Sequence, residues 1–574
     1  MASRDEAPVP LYRPAKPLPF ELRQHCGIYF EEKLYNHALS LLLDILTSGT
    51  VASAPAYVPS PQHLALAATF VVHPSTTTRA KTKQEKDAAN AALQLLRLTN
   101  TLVGPVAARF DVAFSFTHFD SSRHGGRRRT AGESGVPKKV LDDETEPLNL
   151  DLGMSGSLWS RAEDFWHAVG WAFNCSVLYP KRWERWQLWL QFMCEVLEDD
   201  WNERLRQLEK MEEDEKQKNG SQQPAAPSKK KQRDRDCLLM DSLIFKYLTT
   251  GAVGYGRNRR ILRSIFADGS TSSVNEFREV FKNELKEPKQ DDDKPKKREV
   301  DVNIDEDVYG DYLSKDEDDE SEETDASKTQ TQTRTTRTRP KRSKRDTGPS
   351  SKSNPNDAAT DASYDTSDTI YANGGVACLG GFQSLALRQR LLQLLSTVSE
   401  RLPKAFMPLE DLYHLFVENI RHLPLPVFQA FVSPSVLPYF TPAAQTTLCE
   451  LLLFRMRESA APDTDEDYLS QAKLERCFLP YAASSASVVD NAKVSILLES
   501  LLVLLAESDM LRVTPELKQA VTEGILARND RAQVEVRRSQ SSRKVEDIEW
   551  CWLIESGERL MFLIENILPQ KVQG

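Results

Sequence analysis

Between Lys286 and Asn373 the chain carries a single leucine, Leu313, and no Phe, Trp, Cys, Met or His. A stretch of this composition cannot bury enough apolar surface to offset its chain entropy, so it is expected to be disordered. Any packed core must therefore come from the residues before it, the residues after it, or both. The segment is also sorted by charge. Asp301–Asp325 holds 13 acidic side chains against Lys315, while Lys328–Arg345 holds eight basic ones and no acid. Such blocks are typical of interaction tails.

At 574 residues the chain exceeds what one core usually organises, and two or three globular regions plus linkers are expected. The formal net charge of −10 argues against a protein that coats nucleic acid. Periodicity places the boundaries as follows: a disordered N-terminus over 1–18, then an N-terminal helical domain over 19–204 with a mobile loop near 121–150. A charged linker over 205–236 and a helical extension over 237–285 come next. The tether over 286–373 then leads into a C-terminal helical domain over 374–574.

Helical spacing dominates. From Glu21 to Leu46 the apolar positions Leu22, Cys26, Tyr29, Phe30, Leu34, Ala38, Leu41, Leu42 and Ile45 keep a helical period, and Gly49 follows as a stop. The pattern FEEKLYNHALSLLLDIL resembles half of a tetratricopeptide unit, with Tyr35 and Ala38 at the contact between two helices. Further helices are expected over Pro61–Val72 and Gln84–Leu102, then over 385–398, 409–420, 443–456, 489–511, 516–525 and 545–568. No run of alternating β-branched residues suggests a sheet. The expected fold class is all-α: irregular, weakly tetratricopeptide-like helical stacks in two parts, separated by the charged linker.

The most distinctive stretch is Leu158–Leu208, which holds seven of the nine tryptophans: Trp159, Trp166, Trp171, Trp183, Trp186, Trp189 and Trp201. Pro180 suits the first turn of a helix. Beyond it Trp183, Trp186, Leu190, Met193, Leu197 and Trp201 line one face, with Trp189, Phe192 and Val196 on a neighbouring one. Rings at this spacing fill the space between packed helices. Trp and Arg also dominate interface hot spots, which makes Arg182, Arg185 and Trp189 the candidates for contact with a partner.

Chemistry is sparsely signalled. Gly251–Arg260 (GAVGYGRNRR) lacks the Lys-Ser/Thr ending of a phosphate loop and reads as a turn before a basic helix start. His118 and His124 lie near Asp111 and Asp120, but Gly125 and Gly126 leave a metal site there without preorganisation. The eight cysteines form no CxxC pair and read as reduced, mostly buried thiols. No metal, cofactor or catalytic constellation is expected, so an enzyme is not. The N-terminus lacks an apolar h-region and the run from Ile496 to Ala506 is too short to span a bilayer, so neither a secretory signal nor a membrane segment is expected.

Basic tracts carry the location signal. Arg339, Lys341, Arg342, Lys344 and Arg345 resemble a nuclear import motif. Lys229–Arg233 and Arg127–Arg129 with Lys138 and Lys139 are further clusters. The resulting expectation is a nuclear scaffold or accessory subunit of a chromatin-associated complex, in silencing or DNA repair. Its partners would be other protein subunits, with weak nucleic-acid contact through the basic tracts. The alternative is a ribosome-biogenesis or RNA-processing factor.

Overall fold

The computed structural model describes residues 12–49, 54–116, 148–218, 229–250, 255–286, 375–463, 468–536 and 543–567. They are mostly helical, as the periodicity implies, and the expected tether falls outside them. One small departure lies in the segment read as a disordered N-terminus. Strand β1 (Ala15–Pro17) pairs in parallel with β2 (Ala56–Val58). Arg13 fixes this edge by donating from Nε to Ala54 O at 2.8 Å and from Nη2 to Ser48 O at 3.0 Å. Three-residue strands are too short for any alternation to show in the sequence.

Helix α1 (Phe20–Glu31) and α2 (Tyr35–Thr47) arise from what reads as one continuous period. The break is at Lys33, whose φ of 59° is left-handed and ends the first helix. Tyr35 and Ala38 do sit at a helix contact: the Tyr35 ring lies 4.7 Å from Phe70 of α3 (Pro61–Val72), and Ala38 is buried. Helix α4 (Lys83–Val103) packs on α2 and α3, its start fixed by a reciprocal Thr82–Glu85 capping box. Two single turns follow, α5 (Phe110–Ala113) and α6 (Leu158–Arg161).

Helix α7 (Phe165–Leu178) is the hub of this half, with every residue from Phe165 to Ser176 buried. A helix apolar all round belongs inside a fold. Gly170 is what lets it be approached so closely: a Cβ there would sit 2.3 Å from the Phe277 ring. Helix α8 (Pro180–Lys218) begins at Pro180 and runs 39 residues, so residues 205–218, read as linker, continue the helix. Around this pair lie α9 (Lys229–Met240), α10 (Leu243–Thr249), α11 (Tyr255–Ile265) and α12 (Thr271–Glu276).

After residue 374 the helices are α13 (Gly381–Arg401), α14 (Leu409–Ile420), α15 (Leu425–Val432), α16 (Pro442–Met456), α17 (Gln471–Cys477), α18 (Val488–Glu507), α19 (Pro515–Val536) and α20 (Arg543–Phe562). The short α15 and α17 escape the periodicity, which needs more turns than they have. Helix α18 is the second hub, contacting α15, α16, α19 and α20. The helices on either side of the charged segment are not separate bodies: α13 packs on α7 and α8, and α11 on α14, within one compact unit.

Candidate interaction site

The tryptophan-rich region converges on one carboxylate. Glu284, fully buried, accepts from Arg182 Nε at 2.8 Å, Trp186 Nε1 at 2.7 Å, Trp171 Nε1 at 3.1 Å and the Phe281 amide at 3.2 Å. The rest of the Arg182 guanidinium donates to Val72 O at 2.6 Å and Thr77 Oγ1 at 2.9 Å. An ion pair taken out of water is tolerable only with its remaining hydrogen bonds filled, and here they are. The node ties α3, α7, α8 and the residues just before the charged segment together.

This geometry corrects two of the three expected partner-contact residues. Arg182 is 4 % exposed and Trp189 is 0 % exposed, so both belong to the core. The Trp189 ring meets Trp186 edge-on at 5.4 Å and tilts against Phe165 at 6.1 Å. Helix α8 is packed on both faces, which leaves no ring for a partner. Arg185 alone reaches the surface, where its guanidinium donates to Asn90 Oδ1 at 2.8 Å. Sequence reasoning missed Glu284 altogether. The only trace of it is an acid one turn after Val280 and Phe281, one of four glutamates between residues 276 and 287.

Other charged groups are also turned inward. Arg388 of α13 is fully buried and donates to Ile265 O, to Ala267 O at 2.8 Å and to Ser384 Oγ at 3.2 Å. Its guanidinium lies 4.0 Å from the centre of the Phe173 ring. Burial pulls its pKa down to about 9. This cation caps the C-terminal end of α11, where the helix dipole favours positive charge. On α11 itself Arg260 pairs with Asp164 and Glu163, Arg263 with Glu276 at 2.7 Å, and Arg259 with Glu418 at 3.4 Å. Three arginines of the basic helix start are therefore committed to pairs within the protein, while Arg257 donates to Thr249 O at 3.5 Å; Gly251–Gly254 lie outside the described residues.

The metal reading gains nothing: Asp111 pairs with Lys246 at 2.8 Å, while His118, Asp120 and His124 lie outside the described residues. Six of the eight cysteines are buried and all are free thiols; burial pushes Cys194 and Cys449 up to about 12, which makes them inert. Among the described residues no helix is long and apolar enough to cross a membrane. The import candidates Arg339, Lys341, Arg342, Lys344 and Arg345 fall outside the described residues.

Open surface of an apolar kind appears elsewhere, on the last two helices. A groove of about 440 Å³ runs between α19, α20 and the turn after it (Leu563–Ile567), lined by the apolar Ile525, Ile554, Gly557, Met561 and Phe562 and by the polar Asn529, Glu558, Glu565 and Asn566. Ile554 is 50 % and Phe562 56 % exposed. No protein-family model matches the chain, and no curated protein matches it in sequence.

Proposed function

We propose that this chain is a non-catalytic nuclear scaffold or accessory subunit of a chromatin-associated complex, in silencing or DNA repair, working through contacts with other protein subunits. The observation that carries this reading is how the charge-sorted segment is mounted. On its N-terminal side Glu284 is bonded to Trp171 of α7, and on its C-terminal side Gly380 abuts Ser176 of the same helix. The helical body thus holds both flanks of the charge-sorted segment. Basic tracts in such a setting suit import and phosphate contact, and acidic ones suit basic partners. The α1–α2 pair adds a tetratricopeptide-like element of the sort used in protein assembly.

Affinity purification of the full chain after nuclease treatment, followed by mass spectrometry, tests the proposal. Stable co-purification with chromatin-modifying or repair subunits supports it; sedimentation with pre-ribosomal particles instead favours ribosome biogenesis or RNA processing. Changing Lys341, Arg342, Lys344 and Arg345 together to Ala should reduce nuclear accumulation of a tagged chain, read by microscopy. A quadruple variant as nuclear as the wild type would remove this tract as the import signal.

A further inference from the structure

The seam between the two parts of the chain is made of directional contacts as well as apolar area. On one side stand α7, α8 and α11; on the other stand α13 and α14. Arg388, fully buried, reaches across it to the carbonyls of Ile265 and Ala267. Arg390 makes a two-pronged pair with Glu198, Nε to Oε1 at 2.5 Å and Nη2 to Oε2 at 2.6 Å. Phe266 meets Phe431 with ring centres 6.0 Å apart, and Asn258 Nδ2 lies 3.7 Å from Met407 Sδ. Gly380, at φ +82°, comes so close to α7 that a Cβ would stand 2.2 Å from Ser176 Oγ. Contacts of this kind fix register and orientation, as they do between separate proteins.

The covalent link adds less to this seam than its length suggests. A link longer than 70 residues holds its two ends at an effective concentration of at most about 1 mM. The described residues on either side nevertheless form one compact unit. To keep the seam closed for all but roughly 1 % of the time, its two faces must bind with a Kd of about 10 µM or tighter once the link is cut.

We propose that the body survives endoproteolysis between residues 288 and 364 and persists as a complex of two chains. The step is hydrolysis: water adds across one peptide bond, leaving a carboxylate on the first chain and an ammonium on the second. A cut near residue 326 would leave the acidic block 301–325 on one chain and the basic block 328–345 on the other. The two blocks would then be linked only through the seam, and Arg388 and Arg390 would hold it closed.

The test uses the full chain with the recognition sequence of a site-specific protease inserted between Ala326 and Ser327. After cutting, both pieces should leave a size-exclusion column as one peak when loaded at about 100 µM, roughly ten times the expected Kd. They should also melt in one transition. Arg388→Ala should weaken the cut pair at least about thirtyfold, so that the pieces separate on the column. Arg390→Glu should weaken it about tenfold, and adding Glu198→Arg should restore most of the loss. If Arg388→Ala does not fold, the Arg390 and Glu198 variants carry the test, since their pair is partly exposed. Wild-type pieces that separate or precipitate after cutting overturn the proposal. So do pieces that stay together whatever is done at residues 388 and 390, because the hold then lies elsewhere. An inserted site that the protease cannot cut in the native chain overturns it as well, since the segment is then part of the folded body.

Discussion

The core before residue 287 and the core after residue 374 are built from different side chains. The first is aromatic. Phe165 stacks on Tyr247 at 4.5 Å, Phe114 on Trp159 at 5.0 Å, and Trp186 on Phe281 at 6.0 Å. Its indoles also need acceptors: Trp159 donates to Ala65 O at 2.9 Å, Trp166 to Tyr247 O at 3.0 Å, and Trp171 and Trp186 to Glu284. The second is aliphatic, and α18 buries Leu497, Leu498, Leu501, Leu502, Leu504 and Leu505. Dispersion and burial are non-directional, so leucines can exchange places at small cost, whereas an indole N–H fixes both a position and an angle. Directional contacts thus concentrate in the half that holds both flanks of the charged segment.

The sharpest break would come at the buried carboxylate. Glu284→Ala should lower stability by about 3–5 kcal/mol in urea unfolding, because it strands the Arg182 charge. Adding Arg182→Met should recover part of that loss. A single variant as stable as the wild type would show that the polar node does not organise the aromatic half. Trp186→Ala and Trp189→Ala should each cost about 3–5 kcal/mol, since both rings are core.

A finer contrast comes from gentler substitutions. Trp186→Phe removes the donor to Glu284 and should cost about 1.5–3 kcal/mol beyond Trp189→Phe, because Trp189 Nε1 meets no acceptor. In the leucine half, Leu501→Met should cost less than about 1.5 kcal/mol. Comparable losses for all three in denaturant titrations would erase the distinction drawn between the two cores.

Acid should separate the halves as well. Burial depresses His63 to about 3 and His73 to about 4, both below the ordinary value of 6.5. Their stabilising contribution is complete above pH ~6.5 and falls as the unfolded chain takes up protons, by up to about 1.4 kcal/mol per pH unit for each. Protection factors against amide hydrogen exchange should therefore fall first around α3 on acidification, and His63→Phe should flatten that limb. In the leucine half Lys493 is pulled down to about 8, so stability there should rise from pH ~8 towards ~10.5, where the unfolded chain still holds the proton. The smallest effect expected is at Arg185→Ala, within about 0.5 kcal/mol, since its bond to Asn90 lies at the surface.

Helices were legible wherever an apolar period ran for three turns or more, which is why Pro61–Val72 and Leu409–Ile420 appear at the expected residues. Where one period hid two helices, the cue was Lys33 in a left-handed conformation, and lysine gives no warning of that. The two-face packing of α8 was readable from its spacing. Trp189 and Arg182 fail as candidates for partner contact, because hot-spot composition and core composition share the same residue types. Glu284 was invisible: which of several neighbouring acids is swallowed by a core depends on partners more than 80 residues away in sequence. The groove between α19 and α20 was equally hidden, since it forms only where the fold brings two helices together.

The Arg388 clamp sets a timetable for synthesis. Its acceptor at Ile265 lies 123 residues earlier in the chain. At roughly 5–20 residues per second of translation, the carbonyl end of α11 waits about 6–25 s for its cation to be made, let alone to clear the ribosome. Throughout that interval the flank of α7 that α13 later covers, beside the Phe173 ring, lacks its partner. An N-terminal half made alone should therefore expose apolar surface that the full chain covers, and slow codons within the charged segment would lengthen that exposure.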